Sequence, residues 1–155
     1  MMIWDEKAEA FWKRVKLIAF SMLVFSPIAY AVIGYILDIE PRTGGEFDMM
    51  LYILLMVAIV QPALGKIIAR YQVDAFRKNP EAKMTRDQVY LSLAMIEMAF
   101  VDAIYLYGLL QVLLTADYNR MLYFYPIGIA WTFMVWPKRS NFEEFVNKME
   151  TNYGS

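Results

Sequence analysis

Neither cysteine nor histidine occurs among the 155 residues. Without cysteine there is no disulfide, no thiolate metal site and no thiol nucleophile. Without histidine, the usual axial haem ligand, the common zinc and copper ligand and the base of a Ser-His pair are missing too. The remaining residues hold no phosphate-binding glycine loop and no nucleophile–base pair. An enzyme, a cofactor and a metal site are therefore not expected. Any proton chemistry has to run on Asp, Glu, Lys, Tyr or water. A net charge of −1 makes no electrostatic case for a nucleic-acid partner.

What the chain has in excess is apolar surface. Hydrophobic residues fill 59% of positions, against about 45–50% in a typical soluble domain. A bilayer core of about 30 Å needs roughly 20 apolar residues as helix, and four segments qualify, at about 17–37, 49–69, 89–114 and 118–136. The first, Leu17–Leu37, is too long for the apolar core of a signal peptide and lacks a small-residue cleavage pattern. The fourth is short and aromatic, with a kink or local opening expected at Pro126. The fold class predicted is an all-α integral membrane protein: one four-helix transmembrane domain covering 1–155.

Loop charge predicts the orientation. Thirteen of the fifteen Lys and Arg residues fall at the N-terminus, in the 66–86 connection or at the C-terminus. Only Arg42 and Arg120 fall in the other two connections. Both termini and the central loop are thus expected on the cytoplasmic or matrix side. The setting is an integral protein of a bacterial inner membrane or an organelle inner membrane. Its partners would be the lipid bilayer and other membrane subunits or copies of itself. Trp4, Ala8, Phe11, Trp12 and Val15 recur at helical spacing, which predicts an interfacial helix that turns before entering the membrane. Ser140 and Glu143 have capping-box spacing. Phe142, Phe145, Val146 and Met149 then form the apolar stripe of an amphipathic C-terminal helix, expected to lie at the membrane interface or to dock onto a neighbouring subunit.

Two acids stand inside the third span, Glu97 and Asp102. A charge at the bilayer centre costs roughly 2.5–3.5 kcal/mol on insertion scales, so such groups mark function by default. Folding spans two and three at Pro80-Glu81 sets Gln61 level with Asp102, and Lys66 level with Glu97. A Glu97–Lys66 ion pair would hold helix register. Asp102, hydrogen-bonded to the neutral Gln61, would be the exchangeable proton or cation site. Five residues separate the acids by about 140° around a helix, so they do not form one chelating pair. Tyr105 and Gln111 are the polar groups able to extend a path. The competing reading is that both acids are satisfied by hydrogen bonds and act as glue between helices.

Three runs in this hairpin carry a resemblance: Pro62-Ala-Leu-Gly-Lys66, Ala75-Phe-Arg-Lys-Asn-Pro-Glu-Ala82, and the segments Ser92–Glu97 and Asp102–Leu109. Together they resemble the c subunit, the proteolipid hairpin of rotary ATP synthases, over about a third of the chain. The resemblance implies a membrane-embedded ion-carrying carboxylate. Ungapped counting from Pro80 puts that carboxylate within one residue of Glu97, whereas the Tyr-Gly-Leu match puts it at Asp102. Residues 49–60 hold no glycine, which the tight packing of a rotor ring needs. The function expected is thus a small subunit that binds or relays a proton or cation within a larger energy-transducing membrane complex. The alternative is a structural or assembly subunit with no ion chemistry of its own.

Overall fold

The computed structural model describes residues 6–37, 44–78 and 85–151. Helix α1 runs Glu6–Ile36, with a π-helical stretch at Ser21–Phe25. Helix α2 is Gly45–Lys78 and α3 is Arg86–Thr115. Two shorter helices follow, α4 at Tyr118–Leu122 and α5 at Phe124–Val135, and α6 spans Arg139–Thr151. The protein is all-α, and α1, α2 and α3 are each long and apolar enough to cross a membrane.

Helix α3 is the hub. It packs against α1, α2, α4, α5 and α6. Its start is held by a capping box in which Thr85 Oγ1 accepts from Gln88 N–H and the Thr85 N–H donates to Gln88 Oε1. It ends on Ala116 in the left-handed region, φ 55°. The apolar clusters are strung along this axis. Trp12, Val15, Tyr90, Phe142 and Val146 pack at one end; Ala19, Leu23, Met98, Val101 and Tyr105 pack at mid-length; Leu109, Val112 and Met121 close the other end. Outward faces are apolar as well: Tyr35 is 79%, Phe133 74% and Met56 65% exposed. A soluble monomer rarely exposes so continuous an apolar surface, and lipid is the solvent that suits it.

Three expectations are revised. No turn separates an interfacial N-terminal helix from the first span, because α1 is continuous through Phe20. At 1.5 Å per residue its 31 residues measure roughly 46 Å, well beyond the bilayer core, so the charged first turns project past the apolar layer. The apolar stripe of α6 faces protein. Phe142 stacks on Trp12 with centroids 6.2 Å apart and meets Tyr90 edge-on at 4.9 Å, and Phe145 lies 5.5 Å from Tyr90. Arg139 reaches Glu9 at 3.2 Å across the same junction. Trp4 and the side chain of Met149 lie outside the described residues.

The third revision concerns helix breaks. Ser140 is inside the first turn of α6, since the Lys138 carbonyl already accepts from the N–H of Asn141 and Phe142. The 118–136 segment breaks at Tyr123, ahead of Pro126. Proline lacks the N–H that would bond the carbonyl four residues back, so the interruption falls at Leu122–Tyr123 and Pro126 itself sits in the first turn of α5. Together α4 and α5 pack along α3. Arg120 of α4 pairs with Asp48 of α2 at 2.6 Å, and the far end of α5 reaches Lys66 and Arg70.

Candidate functional site

Asp102 projects from α3 toward α1, where the Tyr30 hydroxyl donates to its Oδ2 at 3.2 Å. Its other oxygen, Oδ1, is buried with no hydrogen-bond partner among the described residues. Buried polar atoms are paired in the great majority of structures, so such an orphan marks strain or chemistry.

The π-helical stretch is what aims Tyr30. Each extra residue in a helical turn rotates everything after it by about 100°. Here the irregular turn is stabilised by Ser26 Oγ, which donates to the Ser21 carbonyl at 3.1 Å. Pro27 follows, and its carbonyl accepts from the Tyr125 hydroxyl at 2.6 Å. Tyr125 in turn packs edge-on against Tyr105, one turn along α3 from Asp102, with centroids 5.1 Å apart. The Tyr105 hydroxyl shares a hydrogen bond with Thr132 Oγ1 at 3.0 Å. Asp102 therefore stands among three tyrosines contributed by α1, α3 and α5.

Gln61 is elsewhere. It is buried at the α2–α3 contact, where its Nε2 donates to the Phe100 carbonyl and its Oε1 accepts from the Tyr107 hydroxyl. The depth expected for it holds to within a few residues, since Gln72 meets Ser92 and Gly65 faces Phe100 along the same seam. Its bearing around α3 is different: α2 approaches on the Phe100 side and α1 occupies the Asp102 side. Gln61→Leu is expected to cost about 1–2 kcal/mol, because it strands the Tyr107 hydroxyl in an apolar seam. Reversible unfolding in mixed micelles measures it.

Glu97 and Lys66 line one cleft of about 290 Å³ together with Arg70, Tyr90 and Asn141. Lys66 and Arg70 supply the positive field at Glu97. The side chains do not close into an ion pair; Lys66 Nζ sits over the Trp131 ring, 5.5 Å from its centroid. The two acids thus belong to different sites, Glu97 to this cleft and Asp102 to the tyrosine cluster. Among the described residues no group of three or more acidic side chains gathers where a metal ion would bind. Gln111 is fully buried, and neither atom of its amide has a hydrogen-bond partner among the described residues.

Tyr30, Arg70, Tyr107 and Trp131 are the contributors that sequence reasoning missed. Depth counting finds Tyr30: it lies thirteen residues beyond Leu17, and Asp102 lies thirteen beyond Val89. No comparable signal points to Trp131.

No family model, curated protein or solved structure matches the chain. Its class therefore rests on the molecule itself: a small helical protein with three helices of membrane-crossing length, apolar faces outward and its orphaned polar atoms inside.

Proposed function

We propose that this chain is a small integral membrane subunit in which Asp102 binds and passes on a proton within a larger energy-transducing complex. The observation that carries the reading is the buried, unpartnered Oδ1 of Asp102 beside the Tyr30 hydroxyl. One carboxylate and one phenol offer few oxygen donors for a metal cation, and enough for a proton. Tyr30 both donates to the carboxylate and is able to relay a proton toward the α1 side. In this reading the c-like hairpin works outside a rotor ring, since Asp102 is met by Tyr30 of α1 within the same chain. Gln61 fastens α2 to α3, and Glu97 serves the cleft at the basic end.

The same reading takes 118–136 as a fourth crossing, with both termini on the cytoplasmic or matrix side. It is supported by the lysine and arginine distribution. The docking of α6 against the first turns of α1 and α3 supports it further, because it puts both terminal segments at one end of the bundle.

A second reading, a structural or assembly subunit without ion chemistry, is favoured by the Tyr30–Asp102 bond acting as a strut between α1 and α3. Infrared difference spectroscopy of the reconstituted full chain separates the two. Proton exchange at Asp102 predicts a carboxyl C=O band that changes with pH, shifts on deuteration and is absent in Asp102→Asn. A spectrum unaltered by that substitution would leave only the strut.

A further inference from the structure

The cleft at the basic end has a charge pattern that neither reading of Asp102 uses. Lys66 and Arg70 stand one turn apart on α2 and face it together, with Glu97 across from them on α3. One acid against two bases leaves the cleft with one positive charge in excess. Neither cation is in an ion pair or hydrogen bond among the described residues. Lys66 is held in place from below by the face of Trp131. The remaining walls divide by chemistry. Asn141 adds an amide, whereas Ala69, Val73, Leu93 and Phe145 are apolar.

We propose that this cleft binds a phosphate group, with Lys66 and Arg70 as its charged donors. A monoanionic phosphodiester matches the single excess charge left after Glu97 is counted. The setting points to a phospholipid headgroup as the source. The cleft lies where membrane-length helices emerge at their lysine- and arginine-rich end, and basic pockets between such helices hold anionic headgroups. Its volume of about 290 Å³ admits a glycerophosphate group, and its apolar walls suit the first carbons of an acyl chain. Glu97 works against the bound phosphate and so sets an upper limit on its charge. The inference rests on the membrane-spanning reading but on nothing at Asp102.

The test uses the full chain in nanodiscs of phosphatidylcholine with or without phosphatidylglycerol, with retained lipids counted by native mass spectrometry. Phosphatidylglycerol is expected to be retained over phosphatidylcholine. Retention should fall roughly thirtyfold in a Lys66→Gln, Arg70→Gln double variant, some five- to sixfold for each interfacial cation removed. Glu97→Gln removes the opposing charge and should tighten retention about fivefold, an arm that needs no loss of function to be read. Inorganic phosphate is added as competitor. If it fails to displace the lipid, the source is a headgroup. If it displaces the lipid and protects the chain on its own, the phosphate site stands and a soluble phosphate is its occupant. Equal retention of the two lipids overturns the proposal, as does a Glu97→Gln variant that binds phosphatidylglycerol no tighter than the wild type.

Discussion

Gly128→Val is expected to destabilise the protein by about 3 kcal/mol, at the upper end of the usual cost of overpacking a core. A Cβ placed on Gly128 would lie 2.5 Å from the Cζ of Tyr105 and 2.6 Å from its Cε1. Nothing in that pair is free to yield. The Tyr105 ring is 2% exposed, packed edge-on against Tyr125, and its hydroxyl is tied to Thr132 on the same helix as the glycine. The added methyls must therefore separate α5 from α3, and valine adds two beyond the first carbon. Unfolding in mixed micelles gives the magnitude. A Tyr105→Ala background tests the cause, since removing the ring should recover most of the loss in a double-mutant cycle. A Gly128→Val variant as stable as wild type would mean that the α3–α5 contact is looser than described.

Phe142→Ala is expected to cost about 3–4 kcal/mol, within the usual range for deleting a buried aromatic side chain. Phe142 is fully buried, and Phe11, Trp12 and Tyr90 surround its ring. Because α6 packs as a short separate helix beyond the Trp136–Lys138 connection, the loss should be local. The short helix comes away while the long helices stay assembled. Trypsin then gains access to Lys138 and Arg139, and cleavage there should accelerate by roughly 150- to 700-fold when opening and reclosing are fast relative to cleavage. The exposed Arg139–Glu9 pair contributes little by comparison, under about 1 kcal/mol. If α6 were held by the membrane surface instead, cleavage in detergent would not respond to Phe142→Ala.

The depth of each group was legible from order along the chain. Folding spans two and three at their basic connection sets Gln61 level with Asp102 and Lys66 level with Glu97; the structure places Gln61 on the Phe100 carbonyl, two residues away, and Lys66 beside Glu97 in one cleft. Depth follows from a rise of 1.5 Å per residue, which every helix shares. The bearing of a side chain around its helix was less legible, because it depends on which neighbour arrives on which side. Gln61 misses Asp102 for this reason alone, and Tyr30 gains it. The π-helical turn at Ser21–Phe25 is a second cause, since it rotates the rest of α1 without any change in hydrophobic pattern. The stripe on α6 was visible at its proper spacing, yet an amphipathic helix suits a membrane surface and a protein groove equally well.

Composition and order by themselves determined that this is an apolar all-helical chain, which stretches are long enough to span, and that two acids lie within one of them. Those properties depend on local sums of transfer free energy and on helix geometry, which need no knowledge of neighbours. Only the tertiary structure decided what each acid faces. It gave Asp102 a phenol and an orphaned oxygen among three tyrosines, and gave Glu97 a cleft shared with two cations. Partner choice is a property of helix packing, and helix packing is settled by side-chain shape at every contact at once.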